Sequence, residues 1–254
     1  MRGTFFGHAA WGLELGGRRL LIDPNPAGEE ARDAIDRFAS EAEVVLVTHG
    51  AFDHLGMALE LLERHRQLRL VSEPAVVRHA RSLGVAQERA LIALWNQEHV
   101  LGDLRIRALE TRHLSVFETS PGTYASGMPL AFLVRSEQEP DTRVLHLGDT
   151  AIFSDLKLIG ELYRPTIALI GVGAAPGYLA EMSPKEGAQA ALWLGVDVAL
   201  PMHFEDDRSA ADEFCAAVGW LPCEITTWHL EPLDGFVFER ETRRSVTRGN
   251  GKRS

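Results

Sequence analysis

Short apolar runs that alternate with helical patterns, once in each half of the chain, constrain the fold most strongly. In the first half, the run over 43–47 (EVVLV) predicts a buried strand, and a helical pattern follows over 57–64. In the second half, a strand pattern over 167–170 precedes a helical pattern over 184–194 and a further strand over 198–200. This alternation is typical of α/β proteins, in which helices cover sheets that contain parallel strands.

Strand patterns dominate the remaining parts of the chain. The N-terminal residues predict a hairpin whose turn is Gly16-Gly17. The middle, over 106–147, contains three apolar runs separated by a loop at 118–129 that is rich in Ser, Pro and Gly. We expect this loop to cover a site.

The chain is expected to form one domain over residues 1–240, followed by a flexible basic tail over 241–254. The tail ends in RRSVTRGNGKRS, which has no apolar periodicity, although a nucleic-acid-binding arm is the alternative. Over the whole chain, 36 acidic residues outnumber 26 basic ones, giving a formal net charge of −10. Because nucleic-acid binders concentrate positive charge, this balance disfavours nucleic acid as the main partner and leaves a small molecule as the expected one, although a local basic pocket stays open.

Membrane and secretory features are absent from the sequence patterns. No stretch approaches the about 18 consecutive apolar residues of a membrane span, and the first residues lack the apolar run of a signal peptide. We therefore expect a cytoplasmic protein without a membrane partner, and a homo-oligomer stays open.

Cys215 and Cys223 fit no CxxC or zinc-finger spacing, which favours reduced thiols over a disulfide.

The strongest functional signal is the segment Thr48–His54 (THGAFDH), which directly follows the predicted strand over 43–47. A loop is predicted over 48–56. The adjacent side chains of Asp53 and His54 would point apart on a strand, but a loop can fold both around one ion. Since imidazoles and carboxylates are preferred ligands of zinc and similar ions, the segment predicts part of a metal site.

Three other polar residues follow predicted strands. His113 comes after the run IRALE, Asp149 after VLHL and His203 after VAL. Each residue alone is compatible with a structural role. Four such strand ends in one chain instead predict one shared site, because binding residues are concentrated on loops that a rigid scaffold positions.

The order of these segments resembles the metallo-β-lactamase superfamily over residues 3–205. The likeness rests on IDP at 22–24, THGAFDHLG at 48–56, His113, GDT at 148–150 and PMH at 201–203. GHAA near the start, GDTAIF and PMHF are most similar to the branch that includes ascorbate-6-phosphate lactonase and metal-dependent hydrolases. The resemblance implies a four-layer αβ/βα sandwich, with two mixed β-sheets flanked by helices and a metal centre at one edge.

The resemblance also implies the metal ligands, which are His49, Asp53, His54, His113, Asp149 and His203. His49 and His113 would bind one ion. Asp53, His54 and His203 would bind a second, and Asp149 would bridge both. Asp53 and Asp149 are the implied catalytic residues, and zinc is the expected metal, with manganese or iron as alternatives.

Residues near these motifs are candidates for other roles. Asp23 matches a family motif and is expected to organise the neighbouring loop, while His8 is a candidate for substrate binding. Arg112 and Lys185 could each supply a contact to an anionic substrate. A structural or solvated role stays open for all four.

One position departs from the family pattern His-x-His-x-Asp-His. Ala51 replaces the second histidine, and a methyl group cannot bind metal. This favours one tight ion and one weak or absent one, unless His99 or Glu73 substitutes for the missing ligand. A natural site adapted to alanine and an engineered substitution both stay open.

The predicted function is hydrolysis of a small lactone, ester or phosphoester by a metal-bound hydroxide, with Asp53 as a general base if one ion binds. The alternatives are a non-catalytic metal-binding or sensor protein with a degenerate site, and a purely structural metal. A serine hydrolase is disfavoured because no G-x-S-x-G elbow is present. GVGAAPG at 171–177 lacks the spacing of a dinucleotide fingerprint and is interpreted as a loop beside the metal site.

Overall fold

The computed structural model describes residues 1–173, 181–204, 208–239 and 248–249 of the chain. Its first sheet is built mostly from the N-terminal half. The strands are β1 (Arg2–Gly7), β2 (Ala10–Leu15), β3 (Arg18–Ile22), β4 (Val44–Val47), β5 (Arg69–Ser72), β6 (Ala90–Ile92), β15 (Gly235–Val237) and β16 (Arg248–Gly249). Their order is β16-β15-β1-β2-β3-β4-β5-β6, with β3 to β6 parallel and the others antiparallel.

The second sheet is built from the middle and the C-terminal half. Its strands are β7 (Glu98–Leu101), β8 (Leu104–Glu110), β11 (Leu130–Ser136), β12 (Glu139–His146), β13 (Ile167–Gly171) and β14 (Val198–Met202), in the order β14-β13-β12-β11-β8-β7. The strands β12, β13 and β14 are parallel, and the remaining pairs are antiparallel. Both sheets are therefore mixed.

Helices cover the outer faces of the two sheets. Those of the first half are α1 (Glu29–Ala39), α2 (Phe52–Leu55), α3 (Ala58–Arg64) and α4 (Pro74–Ser82), with a 3-10 turn over Gln87–Arg89. Those of the second half are α5 (Leu156–Tyr163), α6 (Pro184–Leu194) and α7 (Arg208–Gly219). The helix α6 begins at a capping box in which Ser183 and Glu186 bond each other's backbone N–H groups, so its start is fixed locally.

Period-two alternation along the strands separates three apolar layers. On β8, Ile106 and Ala108 belong to the core between the sheets, whereas Leu109 packs under the helices of the second half. On β4, Leu46 points into the core between the sheets and Val47 points toward the helices of the first half. Full burial of side chains of this size stabilises the fold by about 1.5–3 kcal/mol each. The predicted αβ/βα sandwich is confirmed.

Two local predictions were wrong. The segment predicted as a loop at 118–129 contributes to an antiparallel hairpin of β9 (Ser115–Ser120) and β10 (Thr123–Gly127). Cross-strand pairing and burial of Phe117 against the helical layer stabilise this hairpin, despite its polar, glycine-containing sequence. Within the loop predicted over 48–56, residues 52–55 form the short helix α2.

The predictions about the ends of the chain have different outcomes. Of the predicted tail over 241–254, the structure describes only Arg248 and Gly249, whose backbone pairs with β15. The rest of that prediction, and most of the GVGAAPG segment, lie outside the described residues. Among the described helices, none has both the length and the apolar character needed to cross a membrane.

Candidate metal centre

The predicted metal ligands converge because the loops that carry them follow strands running in one direction. In the first sheet, the loops after β3 and β4 carry Asp23 and His49. In the second sheet, β8, β12 and β14 also run in a common direction, and the loops after them carry His113, Asp149 and His203. Carboxyl ends of parallel strands meet at one edge, where open α/β sheets place their sites.

A buried network of hydrogen bonds orients two of the histidines. Asp23 accepts bonds from the Thr48 N–H at 2.7 Å, from the Thr48 hydroxyl at 2.7 Å and from His54 Nδ1 at 2.8 Å. The Thr48 hydroxyl also lies 3.1 Å from His49 Nδ1. Since the hydroxyl donates to Asp23, it accepts from His49 Nδ1, and the Asp23 carboxylate accepts from His54 Nδ1. Both imidazoles therefore carry a proton on Nδ1 and direct Nε2 toward the centre.

The buried atoms that face the centre lack hydrogen-bond partners. His49 Nε2, His54 Nε2, His203 Nε2 and Asp149 Oδ1 are all unsatisfied. They nevertheless lie close together, with Asp149 oxygens 3.8 Å from His49 Nε2, 3.2 Å from His54 Nε2, 3.7 Å from His113 Nε2 and 3.4 Å from His203 Nε2. Because leaving buried polar atoms unpaired is costly, a cluster of converging imidazole nitrogens and carboxylate oxygens is the arrangement that a cation would satisfy.

Three groups of described residues could each hold a metal ion, with all ligand atoms of a group within 4.8 Å of one another. They are His49 with His113 and Asp149, then His8 with Asp53, His54 and His203, and finally Asp149 with Glu181 and His203. All six predicted ligands therefore meet in one centre. His8 and Glu181 join them, through contacts of 3.0 Å to Asp53 and 3.0 Å to His203 Nδ1 respectively.

The charges at the centre are strongly coupled. Burial and the neighbouring His54 lower the pKa of His49 to about 3. Burial also acts to lower the pKa of His54 and His203, but Asp149 outweighs it in both cases, helped by Asp23 for His54 and by Glu181 for His203, and the pKa values rise to about 10 and about 12. Without a cation both imidazoles therefore hold a second proton, which a bound metal ion would displace. Burial acts to raise the pKa of Asp149, yet His54 and His203 hold it well below its usual range. The carboxylate of Asp149 is therefore ionised.

Backbone strain is concentrated at the same place. His8, Asp23 and His203 have φ values of 54°, 45° and 59°, and they are three of the six non-glycine residues with positive φ in the described ranges. The backbone N–H of His203 donates to the carbonyl of His8 at 2.9 Å, which joins two of these residues directly. Strained conformations of this kind persist where the surrounding structure holds them and are typical of functional sites.

Neither residue considered as a substitute for the missing histidine joins the centre. Glu73 is fully buried, caps α4 through the N–H groups of Ala75 and Val76, and accepts a bond from the Ser115 hydroxyl at 3.0 Å. His99 lies on β7 and belongs to none of the metal-holding groups found among the described residues. The group around His49 therefore contains three protein ligands.

The sequence of the chain matches the family described as the β-lactamase superfamily domain over residues 18–204. The chain belongs to the metallo-β-lactamase superfamily. A UPF0173 metal-dependent hydrolase of Methanopyrus kandleri is 32% identical over 93% of this chain and 99% of its own length. A UPF0173 metal-dependent hydrolase of Rubrobacter xylanophilus is 34% identical over 79% of this chain and 80% of its own length.

A solved structure supports the same assignment at the level of the fold. Igni18, a metallo hydrolase from Ignicoccus hospitalis, superposes with a TM-score of 0.76 at 24% identity, covering 94% of this chain and 99% of that one. The two relatives are named metal-dependent hydrolases, and these names do not favour the non-catalytic alternative. The narrower likeness to ascorbate-6-phosphate lactonase is not confirmed.

Two cavities of this metallo-β-lactamase fold border the centre. One of ≈ 560 Å³ lies beside His113, and its lining includes Arg112. Another of ≈ 230 Å³ lies beside His8. Lys185 is exposed in the first turn of α6 and lines neither cavity.

Two residues of the centre were missed from the sequence. Glu181 lies between β13 and α6. No ligand was predicted from the sequence for the segment after β13, and a carboxylate in that segment is the signal that could have identified Glu181. His146 is buried on β12, donates to the carbonyl of Ala9 at 2.9 Å and accepts from the N–H of Gly148 at 3.1 Å. It joins the loop of Asp149 to the turn that follows His8.

Proposed function

We propose that this protein hydrolyses an uncharged carboxylic ester or lactone at a centre that holds one tightly bound and one weakly bound divalent ion. The observation that carries the proposal is the convergence of unpaired, buried imidazole and carboxylate atoms on Asp149. Homologues named metal-dependent hydrolases support it. The mixed nitrogen and oxygen ligands make zinc the first candidate, with manganese or iron as alternatives.

A divalent ion bound by these residues would activate a water molecule and polarise the scissile carbonyl. The chain itself supplies the proton route. Burial acts to raise the pKa of Asp53, but the hydrogen bond from His8 and the nearby His54 lower it to about 2, so the carboxylate is ionised and can accept the proton of the attacking water. His8 Nε2, which lies 3.0 Å from Asp53, is placed to deliver a proton to the departing alkoxide oxygen.

The two metal positions differ in their number of protein ligands. Asp53, His54 and His203 have a fourth ligand in the Asp149 carboxylate, which lies 3.2 Å from His54 and 3.4 Å from His203, whereas Ala51 leaves His49 and His113 with Asp149 as a group of three. We therefore assign the tight ion to the first group and the weak ion to the second.

Ala51→His is expected to convert the weak position into a tight one. The new imidazole would add a third nitrogen ligand beside His49, and affinity for the second ion should rise at least about tenfold, since even outer-shell partners are worth 10–100-fold. The metal content of protein purified without added metal, measured by elemental analysis, should rise from about one to about two ions per chain. Ala51→Leu is the matched control that adds bulk without a donor atom. Two tight ions in the unchanged protein would contradict the assignment.

The cavity beside His113 supports an apolar substrate. Trp95, Leu114 and Met128 line it and remain 41%, 73% and 38% exposed. The one guanidinium in its lining, that of Arg112, lies 2.9 Å from Glu110 and stacks over Phe153, so its charge is already compensated. An apolar acyl group would bury these side chains, whereas a phosphoester would find little free positive charge there.

The preference for apolar substrates is expected to follow acyl chain length. With p-nitrophenyl esters and the zinc-loaded protein, kcat/KM should rise from acetyl to hexanoyl by up to about fourfold per methylene, the value of about 0.8 kcal/mol per buried CH2. Leu114→Ser should flatten this slope, while Leu158→Ser, which changes another exposed leucine, on α5, should leave it unchanged. A flat profile in the unchanged protein would contradict the acyl-group proposal. Metal-loaded protein that hydrolyses no ester or lactone at all would contradict the proposed hydrolysis.

A further inference from the structure

Four arginine side chains line a cavity of ≈ 370 Å³ on the second sheet that shares no residue with the metal centre. Arg107, Arg135 and Arg143 come from β8, β11 and β12, and Arg164 follows the last turn of α5. Glu98 is the one carboxylate in this lining. The cavity therefore carries three excess positive charges in a chain whose formal net charge is −10.

The strand register places like charges side by side. Arg135 is directly opposite Arg143 on one neighbouring strand and Arg105 on the other. Arg105 forms an ion pair with Glu137 and is not part of the cavity lining. Like charges at facing positions destabilise a sheet, so this arrangement has a cost that a bound anion would remove.

Two of the four guanidinium groups lack a neutralising carboxylate among the residues that the structure describes. Within the described part of the chain, no acidic oxygen lies within 4.0 Å of the guanidinium group of Arg143 or Arg164. The guanidinium of Arg143 makes a long 3.4 Å contact to the Arg164 carbonyl. The C-terminus of α5 contributes a partial charge of about −0.5, which offsets only a fraction of the excess.

The other two arginines are held in place by neighbouring residues. Glu98 Oε1 lies 3.1 Å from Arg107 and 3.6 Å from Arg135. The Asn96 carbonyl and side-chain oxygen accept bonds from Arg107 at 3.0 and 3.1 Å, and the ring of Tyr163 lies 5.2 Å below its guanidinium. These contacts orient the donors before any ligand arrives, which lowers the entropic cost of binding.

We propose that this cavity binds a small molecule through a diphosphate or similar multiply charged phosphate group. Planar guanidinium groups bind phosphate oxygens in pairs, and converging arginines are a common solution for such groups. The volume is within the range of small-ligand sites, and the acidic surface elsewhere disfavours a long polyanion.

Titration calorimetry of the full chain with inorganic diphosphate at physiological ionic strength tests the proposal. The double variant Arg143→Gln/Arg164→Gln should bind at least about tenfold more weakly than the unchanged protein, because each lost hydrogen bond to a charged group is worth about tenfold or more. Arg105→Gln removes one charge outside the cavity and should bind as the unchanged protein does. Since diphosphate also binds metal ions, the variants are compared at equal metal content.

Two results would overturn the proposal. The first is equal affinity of the double variant and the unchanged protein, or no binding by either, since the arginines would then not form the site. The second concerns folding: without diphosphate, the double variant should unfold at the same temperature as the unchanged protein or higher, because it removes repulsion. A lower unfolding temperature would instead assign the two arginines a structural role.

Discussion

Asp149→Asn is expected to lower ester hydrolysis at least about 10³-fold, because metal ions supply several kcal/mol of transition-state stabilisation and each factor of ten corresponds to about 1.4 kcal/mol. The Asp149 carboxylate is 4% exposed and lies within 3.8 Å of four imidazole nitrogens. It belongs to two of the three groups that could hold a metal ion. An amide keeps the shape but removes the charge, so the metal content per chain should fall together with the activity.

The control for this variant is Asp36→Asn. Asp36 pairs with His65 and Arg64 in the helical layer of the first half and takes no part in the metal centre. Activity and metal content should both stay within about twofold of the unchanged protein, as expected for a surface ion pair. If Asp149→Asn retained the metal content and the full activity of the unchanged protein, the proposed centre would be wrong.

Asp23→Ala is expected to cause the largest loss of stability among the residues that support the centre. Asp23 is fully buried and accepts bonds from the Thr48 backbone, the Thr48 hydroxyl and His54. Removing one member of a buried charged network costs about 3–5 kcal/mol, which lowers Tm by roughly 10 °C in a domain of this size. Metal affinity should fall as well, because His54 Nδ1 would lose the partner that fixes its orientation.

Thermal unfolding of metal-free protein measures the effect of Asp23→Ala on folding stability separately from its effect on metal binding. Asp103→Ala provides the comparison, because Asp103 also accepts two side-chain bonds, from Arg18 and Ser136, but its own side chain is 15% exposed. A loss of about 1 kcal/mol or less is expected there. Equal losses of stability for the two variants would show that the full burial of Asp23 does not increase its contribution to folding stability.

Much of the fold followed from local patterns. The strand patterns at 43–47, 167–170 and 198–200 are β4, β13 and β14, the helical patterns at 57–64 and 184–194 are α3 and α6, and the three apolar runs over 106–147 are β8, β11 and β12. The hairpin of β9 and β10 did not follow, because its sequence is polar and its strands are stabilised by each other and by the burial of Phe117. The short helix α2 could not be predicted either, since four residues give no periodic pattern.

Hydrophobic periodicity, a local property of the sequence, by itself determined the alternation of strands and helices and placed polar residues after strands. The layered sandwich and the set of six candidate ligands were implied by the resemblance of those motifs to a known family. Only the tertiary structure decided which side chains share the centre. His8 and Glu181 join it from turns far apart in the chain, whereas Glu73 caps a helix, Arg112 is paired with Glu110, and Lys185 lines neither neighbouring cavity. The arginine cavity likewise depends on strand register and on where α5 ends, and such distances between distant segments are set by packing rather than by any local pattern.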